Sequence, residues 1–143
     1  MPQLDFHNSN LQNNSFNPPP LRHGDNLTIL TQLSDAYKLW HKYFVALPRH
    51  TKFTIGSKID NLFTECLEAA LTAEYTNRNK KLEIIQKLSM TFDALKFFLK
   101  LLWEMKALED KKYIALSTAL ANTGKLLGGW IKLFANFQEK RPN

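Results

Sequence analysis

The 143-residue chain has a single cysteine, Cys66, so it can form neither an intrachain disulfide nor a cysteine-rich zinc site, and a reducing, cytoplasmic compartment suits it. Long hydrophobic runs are missing as well. Each apolar run is cut by Lys, Asp or Glu well short of a membrane span, and the first residues lack the basic start and continuous apolar core of a signal peptide, so no membrane partner is expected. Acidic residues fall short of basic ones, 13 against 19, which gives a formal charge of +6 and a pI near 9.5 and attracts anionic partners. What is abundant is apolar: 44% hydrophobic and 12% aromatic residues suit one domain with a substantial core.

Residues 1–27 are rich in Asn and contain Pro18, Pro19 and Pro20 in succession, which favours extended backbone and leaves no repeating apolar face. They read as an N-terminal tail ahead of a helical domain, 28–143. The tail holds one of the 19 basic and two of the 13 acidic residues, so the domain carries +7. Strand signals are missing, and apolar residues recur at three and four through segments free of proline and glycine. Four helices are predicted: Leu30 to Ala46, ended by Pro48; Thr54 to Tyr75; from a cap at Asn77 or Asn79 to Leu108; and onward from Glu109 and Asp110. Short connections make neighbours antiparallel, so the fold class is all-α, an up-down-up-down four-helix bundle.

The third helix has a heptad seam at Ile85, Leu88, Phe92, Leu95, Leu99 and Leu102, as nearly parallel packing requires. A second arc holds Met90, Phe97, Phe98, Leu101, Met105 and Leu108. The fourth helix has a core stripe at Tyr113, Leu116, Leu120, Leu127, Ile131 and Phe134, with Gly124, Gly128 and Gly129 read as sites of close helix packing. Its second stripe is Leu126, Trp130, Leu133 and Phe137. The outer arcs are either one broad core face or an oligomer interface; the second is favoured, on Phe97, Leu101, Met105, Trp130, Leu133 and Phe137.

Catalytic patterns are absent. His7, His23, His41 and His50 are scattered, Glu65 and Glu68 lack the histidine companions of a di-iron site, and Ser57, Ser89 and Ser117 have neither a nearby base nor a glycine elbow. No catalytic residue, metal or cofactor is expected. Cations cluster instead. Arg49, His50 and Lys52 lie in "LPRHTKFTIG", with Lys58 about a turn further on; Arg78, Lys80, Lys81 and Lys87 form a second group at the start of the third helix. Either group can present charge to phosphate, and Lys80 and Lys87 share a face. The alternatives are a solvated turn in which Phe53 and Ile55 plug the core, and a local Glu83–Lys87 pair. No duplex-reading motif is present, so recognition of structured RNA by shape and phosphate is the nucleic-acid reading.

The order "LW…LPRHTKFTIGSKI", then "NRNKKLEIIQKL", then "GKLLGGWIKLF", over about residues 30 to 137, resembles the accessory variability proteins of diversity-generating retroelements. Related four-helix-bundle proteins are encoded by intervening sequences in ribosomal RNA genes. The resemblance implies a ring-like homo-oligomer, a pentamer, with a basic surface that binds the element's reverse transcriptase and template RNA and supports adenine-directed mutagenic copying without being a catalyst itself. The competing reading is a structural or protein-interaction bundle of the intervening-sequence type, in which the charge only keeps the protein in solution.

Overall fold

The computed structural model describes the backbone of residues 24–140 and the side chains of residues 29–136; the expected tail lies mostly outside them. Four long helices account for most of the chain: α1 (Gly24–Val45), α2 (Ser57–Glu74), α3 (Arg78–Glu104) and α4 (Asp110–Lys140), with no strand among the described residues. α1 starts ahead of the expected Leu30, at Gly24. Each helix packs on its sequence neighbours and α4 closes back on α1, while among the described residues the backbones of the diagonal pairs do not come close. Connections of a few residues leave no room for a crossover, so the bundle runs up, down, up, down.

The seam on α3 is buried throughout, from Ile85 to Leu102. On α4 the buried positions are Leu116, Leu120, Thr123, Leu127, Trp130 and Phe134. This is a heptad seam in which a threonine occupies one apolar position. Its hydroxyl bonds back to the Ala119 carbonyl (3.3 Å) and lies 3.4 Å from Gln32 Oε1 on α1. With Thr123 inside, the register turns: Trp130, expected on the outer stripe, is only 3% exposed and belongs to the protomer's own core, while Tyr113 and Ile131 are half-buried at its margin. The glycine reading is corrected too. Gly124 lies against Phe92, whose ring would stand 3.4 Å from an added Cβ, but a methyl on Gly128 or Gly129 would meet nothing within 4 Å.

Aromatic packing joins α1 to α2. Trp40 stacks on the buried Phe63 at 6.0 Å, Tyr37 meets Phe63 edge-on at 5.7 Å, and the Trp40 Nε1–H donates to Asp60 Oδ1 at 3.1 Å. Burial, and then hydrogen bonding to the negative Asp60, pushes the Tyr37 hydroxyl above its ordinary pKa.

α3 stops at Glu104, short of the expected Leu108. Lys106 takes a left-handed conformation (φ 65°), its N–H donates to the Trp103 carbonyl at 2.9 Å, and the Ala107 N–H donates to the Leu102 carbonyl at 3.2 Å. This pair of reversed bonds ends the helix and satisfies its last carbonyls. The chain then folds back and Leu108, expected on the outer arc, is 2% exposed in the core. Trp103 fastens the corner by donating from Nε1 to Asp110 Oδ1 at 2.7 Å and stacking on Tyr113 at 4.7 Å.

Candidate nucleic-acid interface

The basic stretch after Pro48 is helical, not a loop. Ala46 and Leu47 close α1 by donating to the Tyr43 and Phe44 carbonyls at 3.1 Å, and Pro48 sits extended (ψ 145°) as the residue before a new helical turn, Arg49–Thr51. A wide π-helical turn, Lys52–Gly56, then leads into α2. Hydroxyls follow the widened backbone: Thr54 donates to the His50 carbonyl at 2.9 Å, and Ser57 to the Lys52 carbonyl, five residues back, at 3.0 Å. Gly56 is buried at the inner side of this turn. A Cβ there would stand 3.0 Å from the Thr51 carbonyl oxygen and 3.1 Å from the Leu47 side chain, so only glycine lets the end of α1 pack this closely.

The turn therefore aims Arg49, His50, Thr54 and Phe53 at solvent, and Lys52 back toward α1. Phe53 does not plug the core as its apolar character suggests; it is 64% exposed. Arg49 lies over its ring at 5.7 Å, Lys52 over Phe44 at 5.9 Å, Lys58 over Phe98 of α3 at 5.8 Å, and Lys112 of α4 over Tyr43 at 5.3 Å. Among the described residues the ion pairs are Lys96–Asp93 and Lys100–Glu104, so none of these four cations has a carboxylate partner there. Lys58, Phe98 and Lys112 join this end only through the fold, since they come from separate helices.

Arg78, Lys80, Lys81 and Lys87 are elsewhere. The 18-residue α2 separates the two groups by about 27 Å along the bundle. Arg78 and Lys81 approach the Phe134 ring of α4 at 6.0 and 5.6 Å, and Lys80 is exposed. Burial lowers the pKa of Lys81, nearby Glu74 opposes that shift, and Arg78 adds to it. Glu74 Oε1 is itself buried without a hydrogen-bond partner. Lys87 faces a groove of about 360 Å³ between α2 and α3, together with Glu65 and Glu68, and makes no ion pair with Glu83. These residues thus fall into two end clusters, Arg49, His50, Lys52 and Lys58 at one end and Arg78, Lys80 and Lys81 at the other, with Lys87 between them beside the acidic stretch of α2, and not into one continuous track.

Among the residues expected to assemble protomers, Phe97 (58%), Met105 (54%) and Leu133 (53%) are exposed and Leu101 is half-buried. Trp130 is inside, and the side chain of Phe137 lies outside the described residues. Met90 and Phe97 are exposed on the side of α3 away from its buried seam, Leu101 is half-buried beside them, and Ala94 packs against the core. At the α3–α4 corner an open cleft of about 770 Å³ is lined by Glu104, Glu109 and Asp110 but also by Lys106 and Lys111, and so favours neither sign of charge. Among the described residues no group of three His, Cys, Asp or Glu is placed to hold a metal, and no helix is long and apolar enough to cross a membrane.

The bAvd-like family model matches residues 27–134, which spans all four helices. No curated protein and no solved structure matches the chain.

Proposed function

Because the chain belongs to the bAvd-like family, we propose that it is a non-catalytic accessory protein of a diversity-generating retroelement, which binds the element's reverse transcriptase and template RNA and supports mutagenic cDNA synthesis. The observation that carries this reading is the family match over residues 27–134. The unpaired cations at the α1–α2 end support it, because cations held off from carboxylates keep their full attraction for phosphate. The working form is a ring-like homopentamer in the cytoplasm, joined through Phe97, Leu101, Met105 and Leu133. Arg49, His50, Lys52 and Lys58 form one anionic-partner site and Arg78, Lys80, Lys81 and Lys87 another; a ring multiplies both, so weak contacts at each end add through avidity. The N-terminal tail, expected over residues 1–27, precedes the bundle domain, whose first helix takes up the last four of them.

Sedimentation of the purified protein, alone and with structured RNA at two salt concentrations, tests the reading. A species well above the 16.6 kDa protomer that takes up RNA at low salt and releases it at high salt is expected. An assembly indifferent to RNA, and to a reverse transcriptase of such an element, would overturn the function and leave the fold untouched.

A further inference from the structure

We propose that the α1–α2 end takes an unpaired segment of RNA, with a base stacked on Phe53 and the flanking phosphates held by Arg49, Lys52 and Lys58. This rests on the RNA-binding role above and narrows it to one class of RNA. The observation is the juxtaposition of a 64% exposed phenyl ring with Arg49, on a turn whose other cations, Lys52 over Phe44 and Lys58 over Phe98, likewise have no carboxylate partner among the described residues. From Leu47 to Lys58 the chain contains no Asp or Glu, and Arg49 already lies over the Phe53 ring at 5.7 Å. A guanidinium on a ring that stays largely in water is the arrangement on which bases stack in single-strand sites, where each base brings its own π-face and its own phosphate.

Two other occupants fit less well. A duplex would use the cations and leave Phe53 idle, because its bases are already stacked on one another and its readable surface is backbone and groove. A protein partner would bury Phe53 equally well, but it would have to desolvate Arg49 and Lys52 with carboxylates of its own, since this end supplies none between Leu47 and Lys58. Phe53 is also separate in sequence from the residues assigned to assembly, so a ring does not by itself require its burial. The π turn is what makes the side chain available: the extra residue in that turn brings Gly56 to the inside and leaves Phe53 outside.

The test is fluorescence anisotropy with the full chain, using a labelled single-stranded RNA of about twelve nucleotides and the duplex of the same sequence. Phe53→Ala is expected to weaken binding of the single strand by roughly tenfold and binding of the duplex by less than about twofold, while Phe53→Trp keeps the single-strand affinity. Arg49→Ala combined with Lys52→Ala weakens both. Unchanged far-UV circular dichroism shows that the surface substitutions leave the bundle folded. The proposal is overturned if Phe53→Ala binds the single strand as the parent does, or loses both RNA forms in proportion. Should Phe53→Ala keep its RNA but lose the reverse transcriptase in co-purification, the surface is a protein-docking site instead. A parent protein that binds neither RNA form overturns the RNA role itself, and this inference with it.

Discussion

The glycines separate by what stands next to them. Gly56 adopts ordinary helical angles (φ −61°), so its value is space alone, and Gly56→Ala is expected to lose about 1–3 kcal/mol in urea unfolding as the methyl meets the Thr51 carbonyl and Leu47. Gly128 and Gly129 are the opposite case. They lie inside α4 with open space where a Cβ would be, so alanine at either gains roughly 0.5–1 kcal/mol of helix stability with no clash, seen as a higher melting temperature. Lys106 occupies a left-handed position usually taken by glycine, and Lys106→Gly is expected to stabilise by up to about 1 kcal/mol in the same measurement. Cys66 is buried, and burial, with the neighbouring Glu65 charge, pushes its thiol up to about 12. At pH 8 the reactive thiolate is therefore scarce, and labelling by an aromatic disulfide reagent proceeds only as fast as the bundle opens.

Among the elements, the join between α1 and α2 carries the most specific chemistry. Trp40 is fully buried and its indole N–H has Asp60 as acceptor, so Asp60→Ala leaves a desolvated donor and costs about 1–3 kcal/mol by chemical denaturation. The same join ends in the π turn that turns Phe53 outward, which makes stability and the proposed RNA contact properties of one segment. At the α3–α4 corner the Trp103–Asp110 hydrogen bond and the Trp103–Tyr113 stack hold the reversal that brings Leu108 inside. The Thr123 position on α4 shows how one polar residue moves a whole face. A stripe read only from apolar residues passes over it and assigns Trp130 to the wrong side.

At the scale of the molecule, two opposing facts stand together: a core closed by four helices, and an outer apolar row on α3 in which Met90 and Phe97 stand in water. Phe97→Asp places a charge in that row without touching the core, and is expected to reduce the mass in light scattering to the protomer while circular dichroism stays the same. An unchanged mass would place the interface between protomers elsewhere. The two cation clusters, about 27 Å apart, also make a prediction at this scale. Neutralising either end should flatten the salt dependence of RNA binding by about one power for each phosphate no longer neutralised, without changing the mass of the assembly.

The helical class, the helix order and the buried seam of α3 are legible in the sequence because each depends on periodicity within a single segment, and heptad spacing from Ile85 to Leu102 repeats often enough to mark one face. The helix ends are less legible: no residue type marks the reversal at Lys106, where a lysine does a glycine's work, and so Leu108 reads as a continuation of the helix. The site depends on the fold still more. That Lys58 lies over Phe98 and Lys112 over Tyr43, that Arg49 and Arg78 are at opposite ends, and that Phe53 faces water all depend on packing between helices distant in sequence, or on one extra residue in a turn. Local spacing determines which face of a helix is apolar; only the packing of four such faces decides which side chains remain for a partner.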